Sequence, residues 1–166
     1  MPRNLRVEGS GELRRLSRQI RGIENRKEIM KQLRRALREG GRPMVPAVRR
    51  KVLALPSKGE PARKGRKGLR RAVASATRLD VNTGGKRAGV QVRVHPRRMP
   101  DGTRALPALL EGEDGPWRHP LFGDRESWFN QAAHPYFAPA VNPLIPRAER
   151  LAEEALDKVA DEIERG

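Results

Sequence analysis

Residues 77–94, which read TRLDVNTGGKRAGVQVRV, decide the fold class. Leu79 and Val81 alternate with polar residues in the first arm, and Val90, Val92 and Val94 do so in the second. Alternation with period two is typical of a strand with one buried face. The intervening residues 83–87 contain two glycines and favour a turn. The stretch therefore predicts a β-hairpin whose valine face other parts of the chain must cover.

Helical patterns flank this hairpin on both sides. Apolar residues recur every three or four positions over residues 12–38, where Ser10 is a plausible N-cap and Gly40-Gly41 a plausible stop. A second, shorter helix is predicted over residues 46–55, and a third runs from Arg147 towards the C-terminus. The first helix is basic and the last is acidic, so the two could attract each other within one chain or between copies. We expect an α+β fold, with N-terminal helices and a C-terminal helix packed on a small antiparallel β-sheet.

The basic charge is confined to one part of the chain. The 166 residues, enough for one ordinary domain, carry a net charge of +16. Up to Arg71 there are 23 basic and 6 acidic residues, a net +17, and the remainder has a net charge of −1. We divide the chain into a basic N-terminal helical region (1–56), a basic flexible loop (57–71) and an α+β core (72–166). That core holds the hairpin, an aromatic loop and the acidic C-terminal helix, and the whole forms one domain.

The predicted basic loop contains three glycines and a proline among its cations. Such a density of positive charge suits contact with phosphates, although a solvated loop without a ligand has the same composition. The loop has no aromatic residue to stack on single-stranded bases, so sequence-independent backbone contact is the expectation. The candidates for contact with DNA or with an acidic partner are Arg63, Lys64, Arg66, Lys67, Arg70 and Arg71.

The residues give no support for catalysis or for a cofactor. Cysteine is absent, and His95, His119 and His134 lie on separate segments without metal-ligand spacing. The GGKR sequence at 84–87 lacks the remaining positions of a phosphate-binding loop. We expect no enzyme, no metal and no cofactor. No apolar run reaches the roughly 20 residues of a membrane span, and we expect synthesis in a cytoplasm without a membrane partner.

Residues 115–141 form an unusual aromatic stretch. They hold both tryptophans, all three phenylalanines and the single tyrosine, interleaved with prolines. We interpret them as a loop ordered by the packing of large rings rather than by a backbone ladder. A satellite core and a binding surface are equally compatible with this composition.

One motif within this stretch is specific. The run WRHPLFGDR at 117–125, with Trp128, Gln131 and Pro135-Tyr136-Phe137, resembles the "RHPVFGN…W…Q…P" signature of the tail-completion proteins of long-tailed bacteriophages. These head–tail joining, or neck, proteins are often labelled minor tail components. The similarity extends over residues 62–164 and includes 69–72, 90–94 and 106–112. The sequence departs from the signature only by Leu121 in place of Val and Asp124 in place of Asn.

The resemblance implies a structural virion protein that assembles as a ring, typically a hexamer, on top of the tail. Such a ring joins the tail terminator to the head-completion (stopper) protein and the portal, and genome DNA passes through its lumen. It implies localisation in the virion neck after synthesis in the host cytoplasm. The motif residues, expected at interfaces, are Trp117, Arg118, His119, Pro120, Phe122, Gly123, Trp128, Gln131, Pro135, Tyr136 and Phe137. The basic half alone supports an alternative, a free sequence-independent nucleic-acid-binding protein.

Overall fold

The computed structural model describes residues 5–6, 26–56, 68–83, 89–112, 116–121 and 124–165. Helices and short antiparallel sheets make up these ranges, so the predicted α+β class is confirmed. The helices are α1 (Arg26–Gly41), α2 (Met44–Leu53), α3 (Leu69–Ala76), α4 (Leu106–Glu111), α5 (Phe137–Val141) and α6 (Ile145–Arg165). The strands are β1 (Leu5–Arg6), β2 (Thr77–Asn82), β3 (Gly89–Val94), β4 (Trp117–Leu121) and β5 (Asp124–Gln131). Short 3-10 helices span Pro96–Arg98 and Asn142–Leu144.

The chain divides into two compact units, each assembled from stretches far apart in sequence. The first unit takes its described residues mainly from 47–77 and 94–141. The second takes them from 4–46, 78–93 and 142–166.

The second unit contains the predicted hairpin. Strands β2 and β3 are neighbours in a three-stranded sheet of order β1-β3-β2, so both predicted strands are confirmed. Strand β1 pairs antiparallel with β3 and places Leu5 opposite Val92. A two-residue strand is too short to show a period, so the sequence does not predict β1, and the predicted first helix begins only at residue 12. The turn residues 84–88 lie outside the described residues.

Helix α1 packs against α6 in the core of the second unit. Its buried stripe is Ile29, Leu33 and Leu37, which join Ala155 and Val159 of α6 in one apolar cluster. Leu33 and Leu37 are each 2% exposed, and complete burial of such a side chain contributes about 1.5–3 kcal/mol. The basic and acidic helices therefore meet within one chain, through their apolar stripes.

The end of α1 approaches its neighbours very closely. A Cβ atom on Gly41 would lie 2.6 Å from Leu79 Cδ1 and 2.9 Å from Val90 Cγ1, while one on Gly40 would lie 3.3 Å from the Ala148 carbonyl oxygen. Both glycines are buried and belong to the helix. The helix thus ends at the predicted glycines. Their lack of a Cβ atom is what allows the neighbouring residues to pack this closely.

In the first unit, two arginines link α2 and α3 reciprocally. From α2, Arg49 donates to the carbonyl oxygens of Ala74 (Nε, 3.0 Å) and Thr77 (Nη2, 3.1 Å), at the C-terminal end of α3. From the start of α3, Arg70 donates to the carbonyl oxygens of Leu53, the last residue of α2, and of Leu55. Positive side chains thus hydrogen-bond carbonyl oxygens at the C-terminal ends of both helices.

Several predicted boundaries need correction. Helix α1 is described only from Arg26, because residues 7–25 lie outside the described ranges. Helix α2 begins at Met44 instead of Pro46, since a proline fits within a first turn, where amide hydrogens have no helical acceptor. The predicted flexible loop 57–71 is wrong at its end, because α3 already begins at Leu69.

We predict that Gly41→Ala destabilises the protein. Alanine in place of a helical glycine ordinarily stabilises by up to about 1 kcal/mol, whereas here the new methyl group would overlap Leu79 and Val90. We expect the free energy of unfolding in urea to fall by about 1–3 kcal/mol. Gln32→Ala, at an exposed position of the same helix, is the control and should remain near wild type. A stabilised Gly41→Ala protein would contradict the close approach.

Candidate functional site

The aromatic motif forms a β-hairpin in the first unit. Strand β4 pairs antiparallel with β5, placing Trp117 opposite Gln131 and Pro120 opposite Trp128. The register shifts between Pro120 and Leu121, so the ladder carries an irregularity near its tip. The prediction of a loop without a backbone ladder is therefore wrong.

Proline is compatible with this strand for two reasons. A two-stranded ribbon leaves one edge of each strand unpaired, so the missing amide hydrogen of Pro120 can be tolerated. The residue before a proline also prefers an extended backbone, and His119 belongs to β4 accordingly. His119 therefore has the extended backbone of a strand residue.

The hairpin exposes large aromatic rings on both of its faces. Trp128 is 51% exposed and Phe129 is 45% exposed. Adjacent strand residues point to opposite faces, so these two rings lie on opposite sides of the ribbon. Every residue from 125 to 130 is exposed. A satellite core is thus excluded for this part of the motif, and the arrangement matches the surface alternative.

Polar contacts hold the Trp128 ring in place. Its Nε1 donates to the Arg125 carbonyl oxygen at 2.8 Å, and the Arg118 guanidinium carbon lies 5.6 Å from the ring centroid. Arg118 is opposite Asn130, so it reaches Trp128 diagonally across the ribbon. A cation over the ring and a satisfied indole N–H leave the tryptophan oriented while half of its surface faces solvent.

The C-terminal part of the motif is buried. Tyr136 is 1% exposed and Phe137 is 7% exposed, and their rings meet edge to face with centroids 6.4 Å apart. These two residues therefore have a structural role, contrary to their assignment as interface residues. Pro135 is exposed and Gln131 is half-buried. Phe122 and Gly123 lie outside the described residues.

Glu111 connects the two ends of the segment that carries the hairpin. Its Oε2 accepts from the backbone N–H groups of Tyr136 (3.0 Å) and Phe137 (2.8 Å), and its Oε1 accepts from that of Ala138 (2.9 Å). One carboxylate thus satisfies three amides at the start of α5. In addition, the His134 N–H donates to the Leu110 carbonyl oxygen at 2.8 Å.

Gly112 makes this connection possible. It ends α4 with a left-handed backbone (φ +82°), a conformation that favours glycine, and a Cβ there would lie 2.7 Å from Ala133 Cβ. The structure thereby joins two stretches of the family resemblance, 106–112 and 135–137, through hydrogen bonds.

Only two of the six predicted basic contact residues, Arg70 and Arg71, lie in the described part of the chain. Arg63, Lys64, Arg66 and Lys67 lie outside the described residues. Arg70 is half-buried, and its guanidinium binds the carbonyls that follow α2, so its assignment as a ligand contact is replaced by a structural role. Arg71 is exposed on α3.

Within the described ranges, no group of three or more histidine or acidic side chains is arranged to hold a metal ion. No helix in the same ranges is long and apolar enough to cross a membrane. Comparison with known proteins finds no family model, no curated protein and no solved structure that matches this chain. The interpretation of the hairpin therefore depends on its own residues and on the sequence motif.

Sequence reasoning missed Glu111 and Arg49 as organising residues. Their acceptors and donors are backbone groups about 25 positions away, so no local spacing reveals them. The sequence signal that could have pointed to Glu111 is its position directly before Gly112, the glycine that ends α4.

We predict that Glu111→Ala lowers stability strongly. The change would leave three backbone N–H groups at the start of α5 without their carboxylate, a loss of about 2–3 kcal/mol in the free energy of unfolding. Glu111→Gln keeps one acceptor oxygen, so its free energy of unfolding should lie between those of the wild type and Glu111→Ala. Glu154→Ala, which removes an exposed carboxylate on α6, serves as the control. Equal thermal stability of the Glu111→Ala and Glu154→Ala proteins would refute the capping role.

Proposed function

We propose that the protein is a tail-completion, or neck, subunit of a long-tailed bacteriophage. It forms a ring, typically of six copies, that joins the tail terminator to the head-completion protein and portal, with genome DNA passing through the lumen. The α+β fold is compatible with this function. The choice of this protein family rests on the motif resemblance over residues 62–164.

The observation that carries the proposal is the exposed aromatic hairpin. A two-stranded ribbon is at best marginally stable in water, and this one presents Trp128 and Phe129 on opposite faces. Tryptophan and arginine are typical of central interface positions, and here Arg118 lies against Trp128. Such a ribbon is stabilised when another protein surface buries the aromatic rings on its two faces, and a neighbouring subunit can supply that surface.

We assign that cover to an adjacent copy of the chain. In a closed ring each subunit presents one surface to the copy before it and a different surface to the copy after it. A projecting hairpin suits such a head-to-tail contact, because it can be enclosed by the next subunit on both faces. Association would then stabilise the ribbon by mass action.

The direct test of the function is deletion of the gene from its parent phage or prophage. We expect filled heads beside unattached tails in negative-stain images, because a missing neck ring leaves both parts assembled but unconnected. Intact, infectious particles would overturn the proposal. Complementation with the wild-type gene is the control for polar effects of the deletion.

The hairpin contact is tested by Trp128→Ala and Phe129→Ala in the same complementation assay. Both rings are about half exposed, so we expect the monomer to keep its fold within about 1 kcal/mol while infectious titre falls at least tenfold. Asn130→Ala, at an exposed position of the same strand, should complement like wild type. Full complementation by both aromatic variants would exclude the hairpin as the contact.

A second candidate function is a free, sequence-independent nucleic-acid-binding protein. It is favoured by the net charge of +16 and by its concentration before Arg71. The deletion experiment separates the two, since a free binder is not needed to connect heads to tails.

A further inference from the structure

Helix α1 has a basic face opposite its core face. Lys27, Lys31, Arg35, Arg38 and Arg42 follow one another at intervals of four, four, three and four residues, and all five are exposed. At 100° per residue, this series stays within about 80° of arc on the side opposite Ile29, Leu33 and Leu37. Arg42 lies just beyond α1, but its N–H donates to the Arg38 carbonyl oxygen at 2.9 Å and extends the helical path. We call these five residues the basic stripe.

The basic stripe is long and straight. Fifteen residues separate Lys27 from Arg42, which at about 1.5 Å each gives a length of about 22 Å. Duplex DNA carries one phosphate charge per about 1.7 Å of its axis, so a line of cations of this length can neutralise several phosphates together.

The other charged groups of α1, including the exposed Glu39 beside the stripe, leave it with an excess of positive charge. Arg34 is directed elsewhere, since its Nη2 donates to Thr83 Oγ1 at 3.2 Å. Glu28 forms an exposed ion pair with Lys31 at 3.4 Å, a type of contact that contributes little. Among the described residues, no carboxylate forms an ion pair with Arg35, Arg38 or Arg42.

The three arginines also share a cleft. Arg35, Arg38 and Arg42 line an open depression of about 560 Å³, with Glu39 at its side and apolar surface from Val45 and Leu79. Leu79 belongs to β2, so the cleft lies between the helix end and the sheet within the second unit. Three guanidinium groups around one concave surface are suited to bidentate contact with phosphate oxygens.

The composition of the stripe favours double-stranded DNA read through its backbone. No aromatic residue lies on α1 to stack on single-stranded bases. The stripe consists only of lysine and arginine, and a straight row of such side chains fits a row of phosphates without selecting a sequence. Its position on a rigid helix fixes the spacing of the charges.

We propose that the basic stripe of α1 is the duplex-binding surface of this protein, with Arg35, Arg38 and Arg42 as its strongest contacts. The choice of DNA as the polyanion rests on the proposed function, in which the ring encloses the genome. The stripe then lines the lumen and contacts passing DNA without sequence preference. This assignment moves the expected DNA contact from the segment 63–71 to the solvent face of α1.

The test is fluorescence anisotropy of the full chain with two unrelated 30-base-pair duplexes between about 25 and 200 mM salt. We expect equal affinity for both sequences and a steep loss of binding with salt. Arg35→Gln/Arg38→Gln/Arg42→Gln should weaken binding at 50 mM salt at least tenfold and reduce the salt slope by about 2–3, since each lost phosphate contact removes about 0.9. Lys27→Gln/Lys31→Gln should cause a smaller loss in the same direction.

The matched control removes the same charge elsewhere. Arg50, Arg97 and Arg98 are exposed in the first unit, and their triple change to Gln should alter affinity less than about twofold. Circular dichroism checks that each variant is folded, which we expect because all the changed side chains are exposed. A parallel change of Arg63, Lys64 and Arg66 to Gln tests the basic segment.

Each outcome decides the inference. Selective loss in the stripe variant supports it. Equal loss in the stripe and control variants, loss only in the 63–66 variant, or no stripe-dependent binding at 50 mM salt overturns it. Preference for duplex RNA or for polyglutamate over duplex DNA also overturns it.

The experiments distinguish failure of the neck proposal from failure of the basic-stripe proposal. Unattached heads and tails on gene deletion, without stripe-dependent binding, would preserve the neck function and reject the stripe. Infectious particles with stripe-dependent binding would reject the neck function and favour the free nucleic-acid binder.

Discussion

The start of helix α5 is the constraint on which the candidate site depends. Tyr136 and Phe137 bring their backbone amides to a helix start within the first unit, where those amides need an acceptor. The Glu111 carboxylate serves both of them and Ala138 as well, and the Leu110 carbonyl fixes His134 beside it. Both ends of the stretch 113–133 are therefore fixed at one place. The exposed residues 125–130 of the aromatic ribbon therefore belong to a segment whose two ends are anchored.

The parts of the fold that were predictable are those with one buried face. Strands β2 and β3 alternate apolar and polar residues because one face of each contributes to a core, and α1 and α6 carry apolar stripes because each buries one side against the other. The strands β4 and β5 could not be predicted in the same way. Both of its faces are exposed over 125–130, so its sequence shows no alternation, and the clustered rings suggested internal packing instead.

The site itself was predictable only in part. The sequence motif marked the segment that holds the exposed hairpin, but it mixed two kinds of residue: Trp128, which is exposed, and Tyr136, which is buried. Composition cannot separate these, because the difference arises from helix α5 and its cap. Similarly, the density of basic residues drew attention to 63–71, whereas the described cations that align on one face belong to α1. Burial of the apolar stripe of α1 against α6 places these cations on the solvent face of the helix.

The reciprocal arginines of the first unit have a consequence for the connection between α2 and α3. Because Arg70 binds the carbonyl of Leu55, and Arg49 holds the far end of α3, the chain leaves and re-enters the fold at neighbouring points. For a connection closed in this way, doubling the length costs only about 0.6 kcal/mol of loop entropy. Changes of length between Pro56 and Gly68 would therefore add little loop entropy to the cost of folding.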